Sequence, residues 1–367
     1  MGSASKKTIQ LAPTARALVT GGLLAACLAF GSSAQAGITF DFDYSGNAAG
    51  VGFLDAAFGA ARQSALTLAG TKFSELFGTY FSDSATIKMA VTSSDLNNGN
   101  LASAGSQLAT QGVSGFILGE VVQKKLQSGG VTDLNGAAAD GQVDVNFFND
   151  WELDYNATPT GNFYDFYSTL FHEFTHAIGF ASTISKVGRD VFGSGGAGTG
   201  GEWNKFDSFM TQCGTGTNVI DHGNFEINQG VWNVASIGNT KSPANPGGTT
   251  DGLCFSGANA LAANGFNPVE LYSPDPWAGG SSGSHLNTLN PQFNNAAQQD
   301  LGSMMRHSGD PGSFDTRVYS TIEVAMLTDV GYTRKVTSNG VPEPGSLALL
   351  LAGLAGVALV RRRKQKA

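Results

Sequence analysis

The chain has 367 residues, 50 of them glycine, and a formal charge of −8. Setting aside the first 36 residues and the 27 after Gly340 leaves 13 Lys and Arg against 28 Asp and Glu, a balance of −15 for Gly37–Gly340. An acidic, sparsely charged chain excludes ordinary nucleic-acid binding, which needs clustered basic residues; about 300 residues suffice for one large domain or two lobes around a cleft.

Residues 1–36 have the layout of an export signal. Lys6, Lys7 and Arg16 precede a mostly apolar stretch from Ala17 to Phe30, and Ala34-Gln35-Ala36 supplies a small-x-small cleavage site. A lipoprotein-type signal competes at Leu24-Ala25-Ala26-Cys27. Beyond it, strict alternation in Ile38–Tyr44 predicts a half-buried strand. Phe53–Phe77 is Ala-rich and helix-compatible, and Ile87, Met89 and Val91 alternate again as a strand. This order points to a sheet with helices packed on it, an α+β arrangement. Phe116–Leu126 reads as a weak helix. Gln142–Phe148 puts Val143, Val145 and Phe147 on one strand face. Asp133, Asn135, Asp140 and Asp144 offer oxygen ligands of the kind calcium takes, although a solvated acidic loop is the simpler account of them.

The next segment carries the chemistry. Apolar residues at Phe163, Tyr167, Leu170, Phe171, Phe174 and Ile178 have helical spacing, and Gly179 can end the helix. Within it stands His172-Glu173-Phe174-Thr175-His176. Two histidines four apart lie on one helix face and can share a zinc ion, while Glu173 stands where a general base would deprotonate an activated water. With five histidines in the whole chain, chance assembly of this pattern is rare.

A catalytic zinc needs a third protein ligand. The compact spacing would put it at position 182, which is Ser182. His222, His285, His307 and Glu202 remain open as candidates, and Tyr272 and Tyr332 as partners for an oxyanion. Downstream, Gly193–Gly201 and Asn239–Gly252 read as loops. Order returns at Val269–Tyr272 and in a closing helix over Ser320–Val330. Cys213 and Cys254 are the only cysteines after the export signal; in an oxidising compartment they are expected to pair, closing a loop worth roughly 4 kcal/mol.

The His172–Phe180 run, the Gly280–His285 segment, Met304-Met305 and the ending Asp329-Val330-Gly331-Tyr332 resemble secreted bacterial zincins related to the leishmanolysin-like metzincins. The resemblance covers about Gly141–Tyr332. It implies a zincin (metzincin-like) fold, a twisted sheet and active-site helix in an N-terminal lobe, and a loop-rich C-terminal lobe. It also implies His285 as the third zinc ligand, Met305 as the methionine of a turn beneath the metal, and Gln142–Phe148 as an edge strand able to pair with an extended peptide substrate. The expectation is a secreted zinc metallopeptidase over residues 37–338. A non-catalytic extracellular matrix or surface protein that keeps the zincin shape is the rival, and an intact Glu173 argues against it.

At the other end, Val341-Pro342-Glu343-Pro344 precedes an uncharged run over Leu347–Val360 and the basic cluster Arg361-Arg362-Arg363-Lys364. Fourteen residues span roughly 21 Å as a helix, short of the ~30 Å hydrocarbon core. The order of parts in 339–367 resembles the PEP-CTERM sorting signal of Gram-negative bacteria. It implies transient membrane association through a short transmembrane segment, processing by an exosortase, and an extracellular or cell-surface destination.

Overall fold

The structure, a computed structural model, describes residues 37–236, 251–288, 302–313 and 316–335. The export signal, most of the loop predicted at Asn239–Gly252, and the C-terminal tail with its apolar run lie outside these residues.

The alternation read in the N-terminal half builds one four-stranded sheet. Its strands are β1 (Ile38–Asp43), β2 (Ala85–Ser94), β3 (Ala102–Ser106) and β6 (Gly141–Asn146), in the order β1-β2-β6-β3. β1, β2 and β6 run parallel, and β3 is antiparallel to β6. The register puts Phe40 beside Ile87, Phe42 beside Met89, Val91 beside Val143 and Ser93 beside Val145, so the apolar residues share one face. The period of two sends Thr39, Asp41, Lys88 and Asp144 to the other face. Short two-residue ladders join β4 (Leu108–Ala109) to β5 (Gly119–Glu120) and β7 (Trp151–Glu152) to β8 (Tyr164–Asp165).

Two helices cover the apolar face. α1 (Gly59–Tyr80) begins later than the sequence indicates, because residues 52–54 form a separate 3-10 turn. It lies close enough to β1 that a Cβ at Gly70 would stand 3.1 Å from the rings of Phe40 and Phe42. α3 (Phe166–Ala177) adds Phe174, whose ring stacks on Phe40 at 4.7 Å and meets Phe73 of α1 edge-on at 5.4 Å. Each such fully buried ring contributes roughly 1.5–3 kcal/mol through burial alone. α2 shrinks to Val121–Gln127, as the weak periodicity before it forms loop and β5.

One expectation is overturned. Gln142–Phe148 is not an edge strand: β6 lies inside the sheet, hydrogen-bonded on both sides. Its Val143 and Val145 belong to a strand with neighbours at both edges, and the true edge is β3. The sequence Ala102-Ser103-Ala104-Gly105-Ser106 carries no apolar alternation, so nothing in it announces a strand.

The second half is mostly loop around a three-stranded antiparallel sheet of β9 (Met210–Gln212), β10 (Leu253–Phe255) and β11 (Val269–Glu270). The Cys213–Cys254 disulfide joins the end of β9 to β10. Helices α4 (Gln229–Ala235), α5 (Ala258–Ala263) and α6 (Thr321–Asp329) flank it. α6 matches the predicted closing helix, and its Ser320 and Glu323 form a reciprocal capping box.

Asp165 decides where α3 starts. Its carboxylate accepts the amides of Tyr167 at 3.0 Å and Ser168 at 3.3 Å, so the helix begins at Phe166 and leaves Phe163 half exposed outside it. The same carboxylate takes a two-pronged contact from Arg317, Nη2 to Oδ1 at 2.7 Å and Nε to Oδ2 at 3.0 Å. Both side chains are buried. Breaking one side of a buried pair leaves an uncompensated charge, at a cost of about 3–5 kcal/mol. Asp165→Asn keeps a capping oxygen and removes the charge; it should lower unfolding free energy by about 3 kcal/mol in urea titration. A change below about 1 kcal/mol would show that the pair behaves like a surface contact.

Candidate metal centre

α3 presents two stripes. Phe166, Tyr167, Leu170, Phe171, Phe174 and Ala177 are buried in the core. Ser168, Thr169, His172, Glu173 and His176 border an open cleft of about 970 Å³. The 3.6-residue period separates the stripes, so burial of the aromatic face aims both histidines outward.

The chain then turns back sharply. Gly179 has φ +102°, donates to His176 O at 3.0 Å, and is packed so closely that a Cβ would lie 2.5 Å from Gln123 Nε2. This turn delivers Phe180 O to His176 Nδ1 at 2.7 Å. Ser182, where a compact motif would carry its third histidine, instead donates its hydroxyl to Asp207 Oδ1 at 2.7 Å and its amide to Ser284 Oγ at 3.1 Å. The substituted position thereby anchors the loop that brings His285.

His285 arrives from that glycine-serine loop. Tyr272 N donates to His285 O at 2.7 Å, and Leu286 N donates to Met305 O at 2.9 Å, tying the loop to the 303–307 segment. The three Nε2 atoms form a nearly equilateral triangle: His172–His176 3.0 Å, His172–His285 3.0 Å and His176–His285 3.1 Å. Each ring's other nitrogen faces a carbonyl: Met304 O at 2.6 Å from His172, Phe180 O at 2.7 Å from His176 and Ser281 O at 2.8 Å from His285. A carbonyl only accepts, so each Nδ1 carries the ring proton and each Nε2 presents a bare lone pair. Burial holds all three in that neutral form, pushing His172 down to about 3, His176 to about 4 and His285 well below its ordinary value. Three lone pairs facing one another at this distance repel unless a cation lies between them, so the donor set fits a metal ion. Among the described residues it is the one such group of ligating side chains.

Glu173 stands beside the triad. Its Oε2 accepts the amide of Ala104, on the outer edge of β3, at 2.9 Å. Burial pushes its carboxyl up to about 7, against the Ala104 hydrogen bond that favours the charged form. A general base near neutrality is well matched to taking and returning a proton.

The remaining candidates fall elsewhere. Glu202 is held by the Thr110 hydroxyl and the amides of Gln111 and Gly112 at 2.6–2.8 Å, away from the triad. His222 is exposed, edge-on to Phe116. Tyr332 is a core residue whose hydroxyl donates to Ile178 O at 2.6 Å. His307 borders the cleft without joining the triangle. Met304, rather than Met305, carries the contacts to the site: its carbonyl holds His172 and its sulfur lies 3.6 Å from Thr175 Oγ1. Met305 faces the core. The acidic residues considered for calcium have other partners. Asp133 and Asp140 are taken by Lys125 Nζ at 2.8 and 3.0 Å, and Asp144 by the hydroxyls of Thr92 and Ser94.

Residue-by-residue reading of the sequence missed Glu323. This buried carboxylate of α6 accepts the Met305 amide at 2.7 Å and the Ser303 hydroxyl at 2.8 Å, shaping the turn that offers Met304 O to His172. The Ser320-x-x-Glu323 spacing was the available signal. Ala104 had no signal at all, since a backbone amide contributes only once the strand is placed.

A family model for the PEP-CTERM protein-sorting motif matches residues 340–364. It marks the chain for export to the cell surface or beyond and for recognition by exosortase-type machinery. No curated protein matches the sequence significantly. Among the described residues no helix is long and apolar enough to cross a membrane, and the apolar run of the tail lies outside them.

The lowered histidine pKa values make a testable statement about the metal-free protein. Below the ordinary value near 6.5 the unfolded chain binds protons that the folded triad refuses, so folded stability is fully present above that pH and is lost as pH falls toward 4. Chelator-treated protein should therefore show a urea midpoint falling steeply between pH 6.5 and 4. The midpoint of a His172→Asn, His176→Asn double variant should fall less over the same window. Equal slopes would show that the triad does not carry the dependence.

Proposed function

We propose that this protein is an exported zinc-dependent endopeptidase of zincin type. The observation that carries the reading is the convergence of three proton-free imidazole nitrogens next to Glu173, at the floor of an open cleft bounded by a sheet edge. His172, His176 and His285 would hold the zinc, three nitrogen ligands leaving one position open, as catalytic sites require. A structural zinc site has no use for a carboxylate base in that place. The mixed sheet with α3 beneath it, followed by a loop-rich half that supplies the third histidine, supports the zincin comparison.

When bound, zinc supplies Lewis acidity that polarises a carbonyl and acidifies water. Glu173 takes the proton of the attacking water and returns it to the departing amine. The outer edge of β3 offers backbone groups to an extended peptide; the register leaves Ala102, Ala104 and Ser106 facing away from β6, and main-chain pairing there would align the peptide with the cleft. The Ala104 amide is held by Glu173, so a peptide that pairs there competes with that hydrogen bond and releases the carboxylate for its work.

Glu173→Gln should keep about one zinc per chain while casein hydrolysis falls by about 10²–10⁴. His285→Ala should lose its metal to a mild chelator, whereas His222→Ala should retain it. Full turnover by Glu173→Gln would remove the base from the mechanism. Metal loss from His222→Ala with retention by His285→Ala would overturn the ligand set.

The tail beyond Val341 is cut on this reading during export, near Pro342-Glu343-Pro344. Mass spectrometry of the surface protein should find a C-terminus before Leu347. An intact Arg361-Arg362-Arg363 end would refute the cleavage.

A further inference from the structure

Acyl transfer needs a donor for the oxygen on which negative charge develops, and neither tyrosine considered for that role is placed for it. Tyr332 is committed to Ile178 O inside the core. Tyr272 is not among the residues bordering the cleft, but its ring stacks flat on His307, centroids 3.8 Å apart and planes within 9°.

His307 does border the cleft, on the segment whose Met304 carbonyl orients His172. Leu286 bridges to Arg306, which brings this segment alongside the one that carries His285. His307 Nδ1 is sealed from solvent and has no hydrogen-bond partner among the described residues. The triad histidines each spend Nδ1 on a carbonyl; this fourth imidazole does not. With no acceptor at Nδ1, the ring proton is better placed on Nε2, which makes His307 a neutral donor at the cleft.

We infer that His307 is the oxyanion donor of the peptidase site, its Nε2–H directed at the scissile carbonyl oxygen and its ring held flat by Tyr272. This rests on the peptidase reading above. The bond is made to an oxygen whose charge grows along the reaction, so it strengthens toward the transition state and acts on kcat more than on KM.

The test compares zinc-loaded wild type with His307→Ala and His307→Gln on one fluorogenic peptide. A phosphinic peptide of the same sequence, which carries the tetrahedral oxyanion, is titrated calorimetrically as a readout separate from turnover. His307→Ala should lower kcat about 10²–10³-fold with KM within about threefold. Phosphinate binding should weaken by a similar factor, and zinc content should be unchanged. His307→Gln, which keeps an N–H donor, should recover part of the loss. Unchanged kcat in His307→Ala, a rise in KM alone, or loss of zinc would each overturn the role of His307. These outcomes leave an active wild type and so spare the peptidase reading; an inactive wild type at full zinc occupancy would overturn both.

Discussion

Three imidazole lone pairs held 3.0–3.1 Å apart are the constraint on which the rest of the structure depends. Left alone, such rings would rotate or take up protons. Here each is pinned through its far nitrogen by a carbonyl, and the carbonyls come from three separate segments at Met304, Phe180 and Ser281. The fold must therefore hold a helix end, a glycine-serine loop and the 303–307 turn in register to a few tenths of an ångström. Much of the buried polar structure serves that end: Asp207 on the turn after α3, Ser284 against Ser182, and Glu323 beneath Met304 and Met305.

The helix that carries two of the three histidines is fixed at both ends by unlike means. Asp165 caps its start and is itself neutralised by Arg317, a residue more than 150 positions later. Gly179 ends it with a backbone conformation that a side chain would make costly and in a space a side chain would fill. Between these stops the aromatic stripe packs on Phe40 and Phe73, so rotation of the helix would expose rings worth several kcal/mol. The aim of His172 and His176 is thus a consequence of core packing.

Glu173 connects this centre to the sheet. A buried carboxylate raised to about 7 would be a liability if it had no partner, and the β3 amide at Ala104 supplies one. The edge strand consequently meets the site through its backbone, and its small side chains keep the cleft wall low. A bulky alternating strand at this edge would narrow the cleft.

The sequence alone determined the features that depend on local spacing: the period-two strands β1, β2 and β6, the aromatic stripe of α3, the His-Glu-x-x-His pair, the closing helix and the sorting tail. Each is set by short-range geometry, in which neighbouring positions along the chain share a face. The residues alone left Glu202, His222, His285 and His307 open, and the resemblance pointed to His285. Only the tertiary structure brings His285 to the helix pair, because a loop residue is placed by where its loop is anchored, and those anchors are Ser182, Tyr272 and Met305, far away in sequence. The same holds for the edge strand. The resemblance made β6 an edge, but which strand lies outermost is a property of the ladder, and Ala102–Ser106 could be recognised only once β6 was paired on both sides. Met304 and Ala104 belong to this class as well, for they act through a backbone carbonyl and a backbone amide whose positions no side-chain pattern encodes.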